Sequence, residues 1–149
     1  MKTAITALIF AFALSCTAGA YTFDGNTPLT EKQISAIRVN IKNNLTDPSL
    51  DIRCSTVQLV MELKEAYPST DFDYVIIPLV SLLKNDDSPE LRILAARALY
   101  RFDSEVARYA VSRRALYDPS DRVARNCGTL ARSWGQKTPN GDLASSMDR

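Results

Sequence analysis

The same kind of helix start occurs three times in this 149-residue chain, and this repetition constrains the fold more than any other feature. The segments that share it are TDPSLDIRCSTVQLVMEL (residues 46–63), NDDSPELRILAARALYRF (residues 85–102) and YDPSDRVARNCGTLARSW (residues 117–134). Each opens with an acidic, polar turn, and Ile52, Leu91 and Val123 occupy the same place after the turn, at intervals of 39 and 32 residues. A period of this length with two helices per unit is typical of repeat proteins whose units stack on a shared core.

The first twenty residues, MKTAITALIFAFALSCTAGA, form a separate segment. Lys2 precedes an apolar run over residues 4–14 and then small residues, the pattern of a secretory signal peptide that is cleaved after Ala20. As a helix that run would span about 16 Å, roughly half the hydrocarbon core of a bilayer, which disfavours a membrane anchor. We therefore expect an exported protein, periplasmic or extracellular, with lipidation at Cys16 as a minor alternative.

The rest of the chain is predicted to be an all-α domain, because helix formers dominate after residue 30 and the whole chain has only five Gly. Thr30 with Gln33 matches a capping box at the start of the first helix. The six predicted helices cover residues 31–45, 47–67, 72–84, 89–102, 104–116 and 120–134. They form units at about 31–67, 70–102 and 104–134, after an irregular lead-in (21–30) and before a disordered tail (135–149). The residues of the fifth helix expected to face inward are Val106, Tyr109, Ala110 and Leu116.

The middle unit, VIIPLVSLLKNDDSPELRILAARALYRF (residues 75–102), resembles a HEAT repeat, in particular the short HEAT-like repeats of phycobilisome lyase proteins. It has a Pro in the first helix, an aliphatic run, an Asp at the turn and an aliphatic residue followed by Arg at the start of the second helix. A small-residue face follows, formed by Ala95, Ala96 and Ala98. The first unit keeps Asp47 and Arg53 without the Ala face, and the third has Ala124 in place of the Arg.

This resemblance covers about residues 31–134 and implies an α-solenoid of three HEAT-like helix pairs. In the family, the turn Asp and the Arg form a ladder between neighbouring repeats. The residues that the resemblance implies for this ladder are Asp47, Arg53, Asp87 and Arg92. Ala124 then suits a terminal repeat that has no following unit to contact. The resemblance is specific for the fold and says little about function.

The composition argues against several kinds of chemistry. The chain contains no His, which excludes Ser-His-Asp and Cys-His catalysis, His-ligated zinc and the His-dependent metal hydroxylases of this fold. It also lacks a Gly-rich phosphate loop. The acidic pairs near helix starts are explained by the helix dipole better than by an acid–base pair or a Ca²⁺ site. We therefore predict no catalytic residue, no cofactor and no metal.

Two cysteines remain after removal of the signal peptide, Cys54 and Cys127. They lie in the first and third units, so two repeat steps of about 10 Å separate them. A disulfide needs Cα atoms within about 7 Å of each other. We therefore predict two separate thiols, with Cys127 buried in the core.

Charge is distributed unevenly along the chain. Residues 21–91 contain 6 basic and 11 acidic residues (net −5), whereas residues 92–149 contain 11 and 6 (net +5). The Arg-rich second half is either a solvated surface with local ion pairs or a site for an acidic partner, because the Arg fork matches carboxylates. By the resemblance, the second helices of HEAT pairs line the concave side. The candidate partner-binding residues are therefore Arg97, Arg101, Arg122 and Arg125.

These observations favour an exported, non-catalytic scaffold or protein–protein interaction module that does not span a membrane and does not bind nucleic acid. The first alternative is a head-to-tail self-assembling structural protein, in which the acidic half of one copy meets the basic half of the next. A HEAT-like, lyase-type enzyme is the less favoured alternative.

Overall fold

A computed structural model describes residues 28–102 and 104–137, and every regular element in these ranges is helical. The six α-helices are α1 (Glu31–Asn44), α2 (Leu50–Ala66), α3 (Ile76–Asn85), α4 (Pro89–Leu99), α5 (Glu105–Tyr117) and α6 (Asp121–Lys137), and a 3₁₀ turn over Asp73–Val75 precedes α3. The prediction of an all-α fold with six helices is therefore confirmed. The predicted signal peptide, lead-in residues 21–27 and tail residues 138–149 lie outside the described residues.

The helix boundaries follow from local hydrogen bonding. At α1, the Thr30 hydroxyl accepts from the Gln33 N–H (3.3 Å) and the Gln33 side chain accepts from the Thr30 N–H (2.8 Å), which is the predicted capping box. Pro78 lies in the first turn of α3, where its missing N–H would have no helical partner, so the helix accommodates it.

Four of the predicted boundaries are wrong by three or four residues. Helix α2 begins at Leu50 rather than at residue 47, and α3 begins at Ile76 rather than at residue 72. At the end of α4, the Arg101 and Phe102 N–H groups bond three residues back, so the chain leaves the α-helix at Leu99 in a tighter turn. At the other end of the molecule, α6 continues to Lys137, so residues 135–137 belong to the helix rather than to the tail.

The helices pack both within pairs and between pairs. We number the pairs in chain order: pair one is α1 with α2, pair two is α3 with α4, and pair three is α5 with α6. The second helices also contact each other in sequence, α2 with α4 and α4 with α6, and α3 contacts α5. Helix α4 is the centre of this arrangement, because the fully buried Ala95, Ala96 and Ala98 let neighbouring helices approach closely.

Three of the four residues predicted to face inward on α5 do not, and only Ala110 packs against the core. Val106, Tyr109 and Leu116 are 49%, 68% and 72% exposed, whereas Ala107 and Val111 are fully buried. Each residue turns a helix by about 100°, so a core contact at Ala107 and Val111 turns the larger apolar side chains outward. Because α5 packs on both α3 and α6, a small residue occupies the position of closest approach.

Candidate functional site

The turns before α2, α4 and α6 have the same geometry. In each, an Asp carboxylate accepts a hydrogen bond from the backbone N–H of a Ser two residues later: Asp47 from Ser49 (2.8 Å), Asp86 from Ser88 (2.9 Å) and Asp118 from Ser120 (2.9 Å). These bonds fix the turn and satisfy an N–H at the helix start, which would otherwise have no helical partner. The repeated motif at residue level is therefore Asp-x-Ser.

Arg53 connects the first of these turns to the second. Its Nη1 donates to the backbone carbonyls of Asp47 (2.8 Å) and Pro48 (3.0 Å), and its Nε donates to the Asp86 carboxylate at 3.0 Å. The side chains of Arg53 and Asp86 are 17% and 7% exposed. One guanidinium group thus holds its own turn and the carboxylate of the next pair.

Arg92 repeats this arrangement one pair further on. Its Nη1 donates to the backbone carbonyls of Asp86 (2.7 Å) and Asp87 (3.2 Å), and its Nη2 donates to the Asp118 carboxylate at 3.1 Å. The Asp118 side chain is completely buried, and Arg114 Nη1 lies 3.7 Å from its second oxygen. Arg114 also donates to the carbonyl of Lys84, so it links α5 to α3.

The observed ladder differs from the predicted one in its acidic residues. Arg53 and Arg92 bridge neighbouring pairs as expected. Their carboxylate partners are Asp86 and Asp118, not the predicted Asp47 and Asp87. Asp87 is exposed and contributes its backbone carbonyl, and Asp47 contributes a carbonyl to Arg53 and its carboxylate to Ser49. The signal that identifies Asp86 is its position two residues before Ser88 and six before Arg92, the spacing that Asp47 also shows.

The four candidate partner-binding arginines divide into two groups. Arg101 pairs with Glu65 (2.7 Å) and Arg122 pairs with Glu90 (2.8 Å), and both pairs are solvent-exposed links between consecutive helix pairs. Arg97 and Arg125 are also exposed, and neither has an acidic side chain within ion-pair distance among residues 28–102 and 104–137. Of the four candidates, Arg97 and Arg125 are therefore the two without an acidic partner in the part of the chain that the structure describes.

The Glu90 carboxylate is stabilised in its charged form at the start of α4. Its own backbone N–H, the Ser88 hydroxyl and the Arg122 guanidinium together lower the pKa of Glu90 below its usual value. Because both Glu90 and Arg122 are open to solvent, their pair adds little to stability and is readily screened by salt.

Cys54 and Cys127, the two cysteines among the described residues, are free thiols, as predicted. Cys127 is completely buried in α6, and desolvation raises its pKa to about 11. Burial also raises the pKa of the half-buried Cys54, although the neighbouring Arg53 opposes the shift. Since the thiolate is the nucleophilic form, neither group is activated at neutral pH.

A groove of about 460 Å³ lies between α5 and α6, in the pair that has no following pair among the described residues. We call it the α6 groove, and the residues that line it are Ala115, Asp121, Ala124, Arg125, Gly128, Thr129 and Arg132. Sequence reasoning included only Arg125 among its candidates. The missed signal is the spacing of three and four residues from Asp121 to Arg132, which places these side chains on one face of α6.

The described part of the chain shows no group of three or more Cys, Asp or Glu side chains placed to hold a metal ion. Within the same residues, no helix combines the length and apolar character needed to cross a membrane. No protein-family model, curated protein or solved structure matches the chain. Membership of the HEAT superfamily therefore stays a prediction that rests on the repeated residues.

Proposed function

We propose that this protein is an exported, non-catalytic interaction or scaffold module, folded as an α-solenoid of three HEAT-like helix pairs. The observation that carries the proposal is the repeated link between pairs. Arg53 joins pair one to Asp86 of pair two, and Arg92 joins pair two to Asp118 of pair three. In both cases Nη1 also donates to two backbone carbonyls of the preceding turn. Contacts repeated between nearest neighbours are the basis on which repeat proteins build extended binding surfaces.

The character of the described surface favours binding a protein. Arg97 and Arg125 lie exposed on the second helices of pairs two and three, without an acidic partner in the described residues. A guanidinium group without a local partner suits a carboxylate on another molecule, because it offers a planar, permanently charged fork. The partner that fits this surface is a protein with an acidic segment.

Charge asymmetry supports a second candidate, head-to-tail self-assembly. The net charges of −5 and +5 on the two parts of the chain would attract each other between copies. Such an assembly would weaken as salt rises toward about 1 M, where the Debye length falls to about 3 Å. Sedimentation at low and high salt separates the candidates, because the interaction module sediments at the same rate in both.

An affinity experiment tests the proposed function. The full chain serves as bait on envelope or secreted proteins of its source, beside an Arg97→Ser, Arg125→Ser variant and a matched Arg101→Ser, Arg122→Ser variant. We expect the first variant to lose the partner and the second to keep it, because Arg101 and Arg122 are already occupied by Glu65 and Glu90. Equal recovery on both variants would argue against binding through the free arginines.

A further inference from the structure

We propose that the α6 groove binds an extended acidic peptide segment of a partner protein. This inference rests on the proposed function, because it treats pair three as the last of the stacked pairs. It goes further by naming the place on the molecule and the chemistry of the bound segment.

Pairs two and three can be compared position by position when they are aligned on the turn Asp residues of the ladder. Counting from the turn Asp residues, Ala124 of pair three corresponds to Arg92 of pair two, Arg125 to Ile93 and Gly128 to Ala96. Arg92, Ile93 and Ala96 of pair two are 8%, 8% and 0% exposed. Pair three therefore replaces a bridging cation with a methyl group and a buried aliphatic residue with an exposed cation.

These replacements do not favour a further pair of the same kind at this face. A stacked pair would find no ladder donor at Ala124 and would bury the charge of Arg125. The same changes leave room for an extended peptide. Gly128 has no side chain, and a Cβ there would meet Arg132 Nη1 at 3.6 Å and Ala115 Cβ at 3.9 Å. The floor of the groove at Gly128 is therefore bare backbone, which a peptide can approach more closely than it could approach a side chain.

The electrostatics of the groove favour a segment with carboxylates. Arg125 has no acidic partner in the described part of the chain, and Arg132 donates to the Thr129 hydroxyl at 3.3 Å. The lining of the groove therefore contains two guanidinium groups and a single carboxylate, that of Asp121. Charge-assisted bonds from Arg to a carboxylate are about twice as strong as neutral hydrogen bonds.

Asp121 also distinguishes a peptide from a polyanion. Its carboxylate can accept a hydrogen bond from a peptide N–H, whereas a phosphate or sulfate chain offers no equivalent donor and is repelled. From Asp121 to Arg132 the helix rises by about 16 Å, which matches roughly five residues of extended chain. The groove thus fits a short extended segment with acidic side chains toward Arg125 and Arg132.

The test uses a fluorescein-labelled six-residue peptide of alternating Glu and Ala, with a Gln and Ala peptide as the uncharged match. Binding to the full chain is followed by anisotropy at about 0.05 M salt, where charge interactions still extend beyond about 10 Å. We expect an Arg125→Ser, Arg132→Ser variant to lower the affinity at least about tenfold, since each bond to a charged group contributes enough for that change. Gly128→Leu, which fills the groove without changing charge, should have a similar effect.

An Arg38→Ser, Arg113→Ser variant removes the same charge from exposed positions outside the groove and should bind the peptide like the native chain. Circular dichroism establishes that each variant is folded. Equal weakening by this control, equal binding of the Gln peptide or no effect of Gly128→Leu would overturn the inference. If heparin displaces the peptide and Gly128→Leu does not change peptide binding, the groove is instead a polyanion surface. If the chain self-associates and Arg125→Ser, Arg132→Ser abolishes this association, the groove instead holds a second copy of the chain.

Failure of this inference and failure of the proposed function give different results. A chain that captures a partner on the affinity bait but does not bind the acidic peptide keeps its role as an interaction module and loses the assignment to the α6 groove.

Discussion

Asp118 is a carboxylate withdrawn from water and held between two guanidinium groups. Arg92 donates to one oxygen at 3.1 Å, and Arg114 lies 3.7 Å from the other. Burial of a charge is costly unless partners surround it, so removing one partner is more damaging than the net strength of the pair suggests. The cost of removing one member of a ladder link should therefore increase with the burial of that link.

The loss of stability caused by substituting a ladder arginine should increase with the burial of the ion pair that is removed. We expect Arg92→Met to lower the free energy of unfolding by about 3–5 kcal/mol, because it leaves Asp118 buried with one distant cation. Arg53→Met should cost about 1.5–3 kcal/mol, because the Asp86 carboxylate is slightly open to solvent. Arg122→Met should leave stability unchanged, since Arg122 and Glu90 are exposed. Urea unfolding followed by circular dichroism measures all three, and equal losses would contradict this ranking.

The Cys127 thiol should make stability depend on pH in the alkaline range. Its pKa is about 11 in the folded protein and has an ordinary value of 9.0, so above pH 9 the unfolded chain loses the proton first. The stabilising contribution is therefore complete below pH 9 and is lost as pH rises toward 11.

Urea midpoints of the native chain and of Cys127→Ala between pH 8 and pH 10.5 test this dependence. The advantage of the native chain should shrink as pH rises through this range. An advantage that stays constant with pH would show that Cys127 does not titrate differently in the two states.

Single helices illustrate how far local sequence determines this structure. The capping box at Thr30 and the Asp-x-Ser turns can be predicted because they depend on residues two or three apart. The inward face of α5 could not be predicted from the apolar pattern alone. Its buried residues, Ala107 and Val111, are set by how closely α3 and α6 approach, which is a tertiary property.

The candidate site shows the same division between local and tertiary information. Arg53 and Arg92 were predicted from the resemblance, and the local Asp-x-Ser spacing distinguishes Asp86 from the adjacent Asp87 as the turn carboxylate. The pairing of Arg101 with Glu65 joins residues 36 positions apart, so no local pattern reveals it. The α6 groove likewise depends on Ala115 of α5 meeting Gly128 of α6.

Gly128 lies inside α6 without a steric need for glycine. A Cβ at this position would make only ordinary contacts, so Gly128→Ala should raise the free energy of unfolding by about 0.5–1 kcal/mol through helix propensity. Thermal unfolding monitored by circular dichroism measures the change. A lower melting temperature for Gly128→Ala would show that the groove does not have the space described.

Across the whole molecule, the helices differ in how much of their surface is covered. Helix α4 has seven buried residues and contacts α2, α3, α5 and α6, whereas α1 has one buried residue, Ile41, and packs mainly on α2. A helix with few buried contacts opens at a lower free-energy cost than a helix with many. The two outer pairs are thus organised around a central helix.

Amide hydrogen exchange should reproduce this order. We expect the α4 amides to exchange slowest, close to the rate set by global unfolding, and the α1 amides to exchange fastest among the six helices. Mass spectrometry of peptides after exchange resolves the helices. Stronger protection of α1 than of α4 would contradict the arrangement around a central helix.

The measurement that tests the central claim most directly is a double-mutant cycle on the link between pairs two and three. The claim is that Arg92 and Asp118 bond to each other and join consecutive pairs, so that the stack presents one continuous surface. Urea unfolding of Arg92→Met, Asp118→Asn and the combined variant gives the coupling free energy. We predict that the combined loss is smaller than the sum of the single losses by at least about 2 kcal/mol. Losses that add to within about 0.5 kcal/mol would contradict the ladder.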